Sequence, residues 1–294
     1  MLAVLPSIAS APDPPESVQA LLGAALAATA LATAPLVMDM ARRWVPERNQ
    51  FFARWGFTHL SLAFLIYLAS FLVVPTVWVA FSDAELGLTH SLVLMTLVFL
   101  APSIYILRCA LRLDPDGVGC LGFRPHGNLR GAALGITSYA LLSPAILGLM
   151  LLWPWVVGEL TGENAVQESV KGFLELDPER SWLPLILAVA VLPFFEELLF
   201  RAFLQPLLVQ NFTDRSGVVV TSVIFAALHG LSAFLPIFAL SLILGGVMLR
   251  TQRFAACWAV HALHNGLVIC ALLYLPEARE LVEGEAFLTP FFLR

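Results

Sequence analysis

The sequence predicts an all-α, polytopic integral membrane protein, and three observations carry that prediction. Of the 294 residues 59% are hydrophobic, and the 16 basic and 21 acidic side chains amount to 13% of the chain, against roughly 25% in a soluble domain. The mean hydropathy is +0.85. Apolar runs of the length a helix needs to cross a bilayer core of about 30 Å recur from one end of the chain to the other. Too few charges exist to cover a water-soluble globule, which excludes an ordinary soluble enzyme, and the same composition excludes disorder. A net charge of -5 argues against a nucleic-acid partner, because phosphate binding needs a clustered basic face. Cys109, Cys120, Cys257 and Cys270 form no CxxC pair. They read as free thiols, not a disulfide framework or a zinc ribbon.

Eight apolar runs bounded by charge or by Gly and Pro define about eight transmembrane helices: 17–38, 57–81, 88–107, 131–157, 181–208, 217–231, 233–249 and 254–275. Their length, their Leu and Ala content and the lack of polar alternation favour helices over barrel strands. Run 17–38 is rich in Ala and Leu, and 57–81 carries Pro75. Pro144 and Pro154 fall in or near the end of 131–157, and Pro193 falls inside 181–208. Proline is tolerated in such helices because neighbours repair the broken backbone bond, and a kink there shapes a cavity. Run 217–231 is the shortest, reaching about 22 Å at helical rise, so its full crossing is open. The remaining division is a short non-cytoplasmic segment 1–16, a single membrane domain 17–275 and an acidic tail 276–294. Ala9-Ser10-Ala11 resembles a signal-peptidase step, but no basic region and no sufficient apolar run precede it.

The basic residues set the orientation. Segments 39–56, 108–130, 209–216 and 250–253 hold eleven of the sixteen, while Lys171, Arg180, Arg279 and Arg294 fall on the other side. Acidic residues lean the opposite way. The Arg-bearing segments are therefore expected to be cytoplasmic and both termini outside.

Three charges remain inside a span: Glu196, Glu197 and Arg201. Each costs about 2.5–3.5 kcal/mol at a helix centre on insertion scales. Glu197 and Arg201 are i and i+4 and can pair, whereas Glu196 is turned about 100° away and needs another purpose. Polar residues also mark the later spans: His229 after Phe225, then His261, His264 and Asn265. His261 and Asn265 share a helical face, and His264 is offset from it. Counted from the cytoplasmic ends, His261, Asn265, His229 and Glu196 lie about 11, 17, 18 and 18 Å deep. The four are expected to meet inside the bundle, at one level, in an active site opening toward the cytoplasm.

A carboxylate and a histidine facing one water share the work of deprotonating it. A second histidine and an Asn amide supply donors to the oxygen of an attacked carbonyl. Glu196 and His229 are thus expected to activate water, and His261 with Asn265 to form an oxyanion hole, in an amide-hydrolysing arrangement.

The residues Glu-Glu-x-x-x-Arg at 196–201, Phe-x-x-x-His at 225–229 and His-x-x-x-Asn at 261–265 resemble the CPBP family of intramembrane proteases, which includes type II CAAX prenyl endopeptidases and bacterial proteins linked to bacteriocin maturation or self-immunity. The resemblance covers about 181–275. It implies Glu196 as general base with His229 as partner, Glu197 and Arg201 as a structural pair near the site, and His261 with Asn265 as oxyanion stabilisers; Phe225 is counted with the supporting residues. His264 has no counterpart and is left to packing or to a role behind the residues that meet the substrate. No cofactor is favoured. A catalytic zinc needs three protein ligands and no HExxH is present, so zinc on Glu196, His229 and His261 is the alternative.

The expected partners are the lipid bilayer and a membrane-anchored protein or peptide substrate. A single lysine, Lys171, among the basic residues points to a GC-rich bacterium and its inner membrane, where a bacterial peptide or sorting tag is as good a substrate as a prenylated one. Two other classes remain at this stage: an ion-coupled transporter or proton relay, for which buried Glu and His would serve equally, and a non-catalytic immunity-type membrane protein.

Overall fold

The computed structural model describes residues 53–82, 86–161, 168–176 and 182–275. The expected span 17–38, segment 1–16 and tail 276–294 lie outside the described residues. Every regular element among those described is helical: α1 (Phe57–Phe81), α2 (Leu88–Leu113), α3 (Asn128–Thr161), the short α4 (Glu168–Leu174), the long compound helix α5 (Trp182–Asn211), α6 (Asp214–Ala227), α7 (Phe234–Thr251) and α8 (Phe254–Tyr274). Six helices among the described residues are long and apolar enough to cross a membrane. Among the described residues, the sequence-defined runs are found as helices with ends moved by a few residues. The exception is run 217–231, which folds as the 14-residue α6. At about 21 Å it is shorter than the hydrocarbon core.

α1 packs chiefly on α2, and its outer face stays bare: Leu65, Leu72 and Val79 are each at least 60% exposed. Lipid, not protein, is the partner such a face requires. On the other flank α3 runs along α7 and α8, and Gly135 makes this approach possible, since a Cβ there would stand 2.7 Å from Val260. Small residues allow this proximity between membrane helices. α5 occupies the middle, with every residue of Leu198–Leu204 buried.

The compound helix is where local structure serves the site. α5 alternates between α and π geometry: α at Trp182–Ile186, π at Leu187–Val191, α at Leu192–Glu197, π at Leu198–Leu204 and α at Gln205–Asn211. A π turn shifts the backbone bond from i−4 to i−5, as when Leu192 N–H bonds Leu187 O and Gln205 N–H bonds Phe200 O. The re-aimed carbonyls need donors from elsewhere. Asn265 Nδ2 donates to Ala188 O (2.9 Å), Trp258 Nε1 to Ala190 O (2.8 Å) and Trp55 Nε1 to Phe203 O (2.9 Å). The turn bearing Glu196 and Glu197 is therefore held between two π segments, each fastened from outside.

The two ends of the bundle are distinct. At one, Ala53 N–H donates to Gln210 Oε1 (2.8 Å), Arg54 pairs with Asp114 (3.7 Å) and Phe254 N–H donates to Gly122 O (3.1 Å). At the other, Leu88 packs on Gly172, and Phe173, Ala188, Ile269 and Leu273 form a small core under α4.

Candidate active site

Consecutive residues of a helix point about 100° apart, and Glu196 and Glu197 accordingly have different surroundings. Glu197 is fully buried. Its Oε2 stands 3.3 Å from Arg201 Nε, and its Oε1 accepts a hydrogen bond of 2.9 Å from His261 Nδ1. The i, i+4 pairing read from the sequence is present. Arg201 is equally buried; its Nη2 donates to Ser241 Oγ of α7 (3.0 Å) and its guanidinium lies 4.8 Å from the centre of the Phe225 ring. Phe225 is the hub of this packing, touching the rings of Phe200, His229 and His261 as well.

Glu196 is half-buried and turns toward a cavity of about 560 Å³ inside the bundle, a size typical of ligand sites. Its Oε2 is 3.7 Å from His261 Nε2. His261 thus stands between the two carboxylates, one on each ring nitrogen. A carboxylate only accepts, so the Nδ1 proton is committed to Glu197, and whether Nε2 carries a second proton depends on what Glu196 holds.

His229 follows the end of α6 and lines the same cavity as Glu196. Its Nδ1 donates to Phe225 O at 2.8 Å, which leaves Nε2 as the lone-pair nitrogen of the neutral ring. The chain then reverses at Gly230, whose φ of 84° lies in the region glycine enters without strain. This reversal lets a helix too short to span deliver its histidine to the level of Glu196.

Asn265 is on the same face of α8 as His261, as its spacing requires, and one of its two amide hydrogens goes to Ala188 O. The structure brings Glu196, Glu197, Arg201, Phe225, His229 and His261 into one cluster, with Asn265 anchoring the π segment beside them. His264, left to packing by the sequence, bonds the Tyr139 hydroxyl at 3.0 Å and ties α8 to α3. Trp258 was missed. Its spacing from His261 and Asn265, three and seven residues, already placed it on their face, but nothing in the sequence announced the π carbonyl it serves.

Two geometric expectations need correction. Equal depth counted from helix ends does not describe the site: about 11 Å of helix separates Phe254 from His261, yet about 21 Å separates Glu197 from Asn211, and the two side chains are bonded. The start of α8 is staggered inward, beneath the loop whose Phe123 stacks on Phe254. Nor does the cavity open toward the Arg-bearing end. Beyond Glu196 it stops against Phe200 and the buried run Leu198–Leu204, and its walls reach the opposite end at Gly87, Lys171 and Glu175.

The order and spacing of these residues agree with one known group of proteins. Residues 178–267 match the type II CAAX prenyl endopeptidase Rce1-like family. The matched segment takes in all three motifs, from Glu196 to Asn265, and spans α5 to most of α8, while α1 to α4 lie outside it. It agrees with the CPBP resemblance carried by the motifs. The chain is thus a multi-pass membrane protein with a segment similar to that family. No curated protein and no solved structure matches it.

Among the described residues no three His, Cys, Asp or Glu side chains converge as a metal-binding group. In the trio considered for zinc, Glu196, His229 and His261, each histidine has Nδ1 held by an acceptor, Glu197 Oε1 for His261 and Phe225 O for His229, which leaves Nε2 of each ring as the atom a ligand would meet, a pattern that metal-binding histidines share.

Proposed function

We propose that this protein is an intramembrane endopeptidase that hydrolyses a peptide bond of a membrane-associated substrate with water activated by Glu196 and His229. The observation that carries the proposal is the shared cavity wall: a carboxylate and an imidazole with a defined lone-pair nitrogen face the same space inside a membrane bundle. Glu196 takes the proton of the attacking water, and His229 Nε2 orients that water. The carbonyl oxygen then gains charge. His261 Nε2 donates to it once the ring carries both protons, with Glu197 holding Nδ1 and Arg201 balancing Glu197. Asn265 completes the hole through its second amide hydrogen or holds the backbone that shapes it. The proton on Glu196 passes to the leaving amine, which restores the carboxylate.

The test compares protein N-termini in membranes carrying the wild-type chain with those carrying Glu196→Gln. New termini confined to the wild type are expected; identical profiles, or ion flux in vesicles that depends on Glu196, would sink the proposal. Cleavage by the purified protein is expected to survive strong chelation. Loss of activity restored by zinc alone would reverse the metal-independent assignment.

The π fasteners give a further expectation. Trp258→Phe removes the donor to Ala190 O while keeping the ring contact with Phe194. A displaced Glu196 turn should lower kcat by about ten- to a hundredfold with little change in KM, since small misplacements of reacting groups cost that much. An unchanged kcat would show that the π segment holds its shape without Trp258.

A further inference from the structure

A second cavity lies away from Glu196, at the end of the bundle where Phe254 N–H meets Gly122 O. It holds about 480 Å³ and is walled by the loop before α3 and by Arg253, which lies between α7 and α8. Arg124 and Arg253 both line it, together with His126 and a single carboxylate, Asp116. Among the described residues neither guanidinium pairs with an acid: Asp114 is taken by Arg54 at 3.7 Å, and Asp116 makes no ion pair.

The backbone seats Arg253 in this wall. Gly127, with φ at 81°, and Gly131 pass along its side chain, where a Cβ would stand 2.8 Å from Nη2 and 3.2 Å from Cγ. The arginine therefore fills space that both glycines leave and lies against the first turn of α3, the unfavourable end of a helix for a cation. Burial, and after it Arg124, pulls the Arg253 guanidinium below its ordinary value, as expected of a cation short of counter-charge. It stays charged all the same. A guanidinium is planar and binds phosphate oxygens through two parallel N–H bonds, so two of them on one concave wall lose their mutual repulsion when they share an anion.

We infer that this cavity is a phosphate-binding site, in which Arg124 and Arg253 share the phosphate of an anionic lipid headgroup or of a soluble phosphate. The site is separate from the catalytic cluster and does not rest on the peptidase reading. Its wall continues into the packing beside that cluster: Phe123 stacks on Phe254 with 4.4 Å between ring centres, and Phe254 meets Phe194, two residues before Glu196, at 5.0 Å. A phosphate held by both arginines ties the loop to the start of α8 and braces this stack.

The experiment uses the full chain in a neutral detergent. Native mass spectrometry and thermal unfolding follow the addition of phosphatidylglycerol, phosphatidylcholine or inorganic phosphate, the last against chloride at equal ionic strength. Phosphatidylglycerol is expected to stay bound as one molecule and to raise the unfolding midpoint, and phosphatidylcholine, whose own cation neutralises its phosphate, to do neither. Arg124→Gln and Arg253→Gln should each weaken the binding about tenfold, since each removes charge-assisted hydrogen bonds. Without phosphate both variants should be at least as stable as the wild type, because each relieves repulsion between like charges. Arg112→Gln, at an exposed position of the same end that does not line the cavity, should leave binding unchanged. An arginine-dependent response to inorganic phosphate supports the site and assigns it to a soluble phosphate, and a response to phosphatidylglycerol alone supports it and assigns it to lipid. Undiminished binding in the Arg124→Gln/Arg253→Gln double variant, an equal loss in Arg112→Gln, or no response to either probe overturns the inference. So does a loss of stability in both single variants whatever is added, which would make the two arginines structural.

Discussion

Glu196→Gln is expected to abolish cleavage while the protein still inserts, folds and resists heat as the wild type does. The carboxylate faces the cavity, and His261 Nε2 is 3.7 Å away. Gln keeps the shape and can still meet that nitrogen, so the fold loses little. What it cannot do is accept a proton from water. General-base catalysis contributes about 10²–10⁴-fold, and because the same group must return the proton to the leaving amine, the loss should sit at the upper end of that range. The measurement is the rate of appearance of a new N-terminus at saturating substrate, with thermal unfolding in detergent as the control. Residual activity above about a tenth of the wild type would remove Glu196 from the chemistry. A collapse of stability instead would make it a structural residue.

Arg201→Leu is expected to have the opposite signature, a loss of the folded protein itself. Arg201 and Glu197 are both fully buried, and their charges balance across 3.3 Å. Removing one partner of such a pair leaves an uncompensated charge and costs about 3–5 kcal/mol. The cost is raised because Arg201 also caps Ser241 and covers the face of Phe225, the ring against which His229 and His261 are packed. Combining Arg201→Leu with Glu197→Gln removes both charges and should recover much of the stability, a coupling that a double-mutant cycle reads directly. Activity should not return with it, because the neutral amide introduced by Glu197→Gln no longer holds His261 Nδ1 as a carboxylate does. A single variant as stable as the wild type would show that the pair is solvated, and a fully active double variant would show that Glu197 has no part in placing His261.

These two variants separate what the adjacent glutamates do, and the sequence already distinguished them. Spacing alone paired Glu197 with Arg201, since residues four apart share a helical face, and left Glu196 facing elsewhere. It also placed His261 and Asn265 on one face of a later helix. Spacing could not say that His261 would lie between both carboxylates, because that contact joins residues 64 apart in the chain. The oxyanion assignment for Asn265 came from its amide donors and its helical face, and the motif agreed with it. Its bond to Ala188 O adds a second task that no motif expresses, since it depends on α5 leaving α geometry next to the site.

Run 217–231 shows the same division. Its length already told against a full crossing, and α6 is a 14-residue helix. What length could not reveal is the turn at Gly230 that brings His229 to the cavity. Depth counting misled for a related reason. It takes helix ends as flush with a membrane surface, whereas α8 begins inside, under a loop sealed by Phe123 and Phe254.

By itself the sequence determined the environment and the inventory: a helical membrane bundle, because so few charges cannot face water, and a set of polar residues whose retention in lipid needs a purpose. It determined which of them share a face, because helical periodicity is a local property of the backbone. Only the tertiary structure decided which faces meet, how far one helix is displaced along another, and which end of the bundle the cavity reaches. Those are set by packing between residues distant in the chain, such as Leu88 on Gly172 and Phe254 against Gly122, and no local pattern encodes them. The direction of the cavity is the clearest case: the arginines mark one end of the bundle, and the filling of that end by Leu198–Leu204 leaves the cavity walls to reach the other.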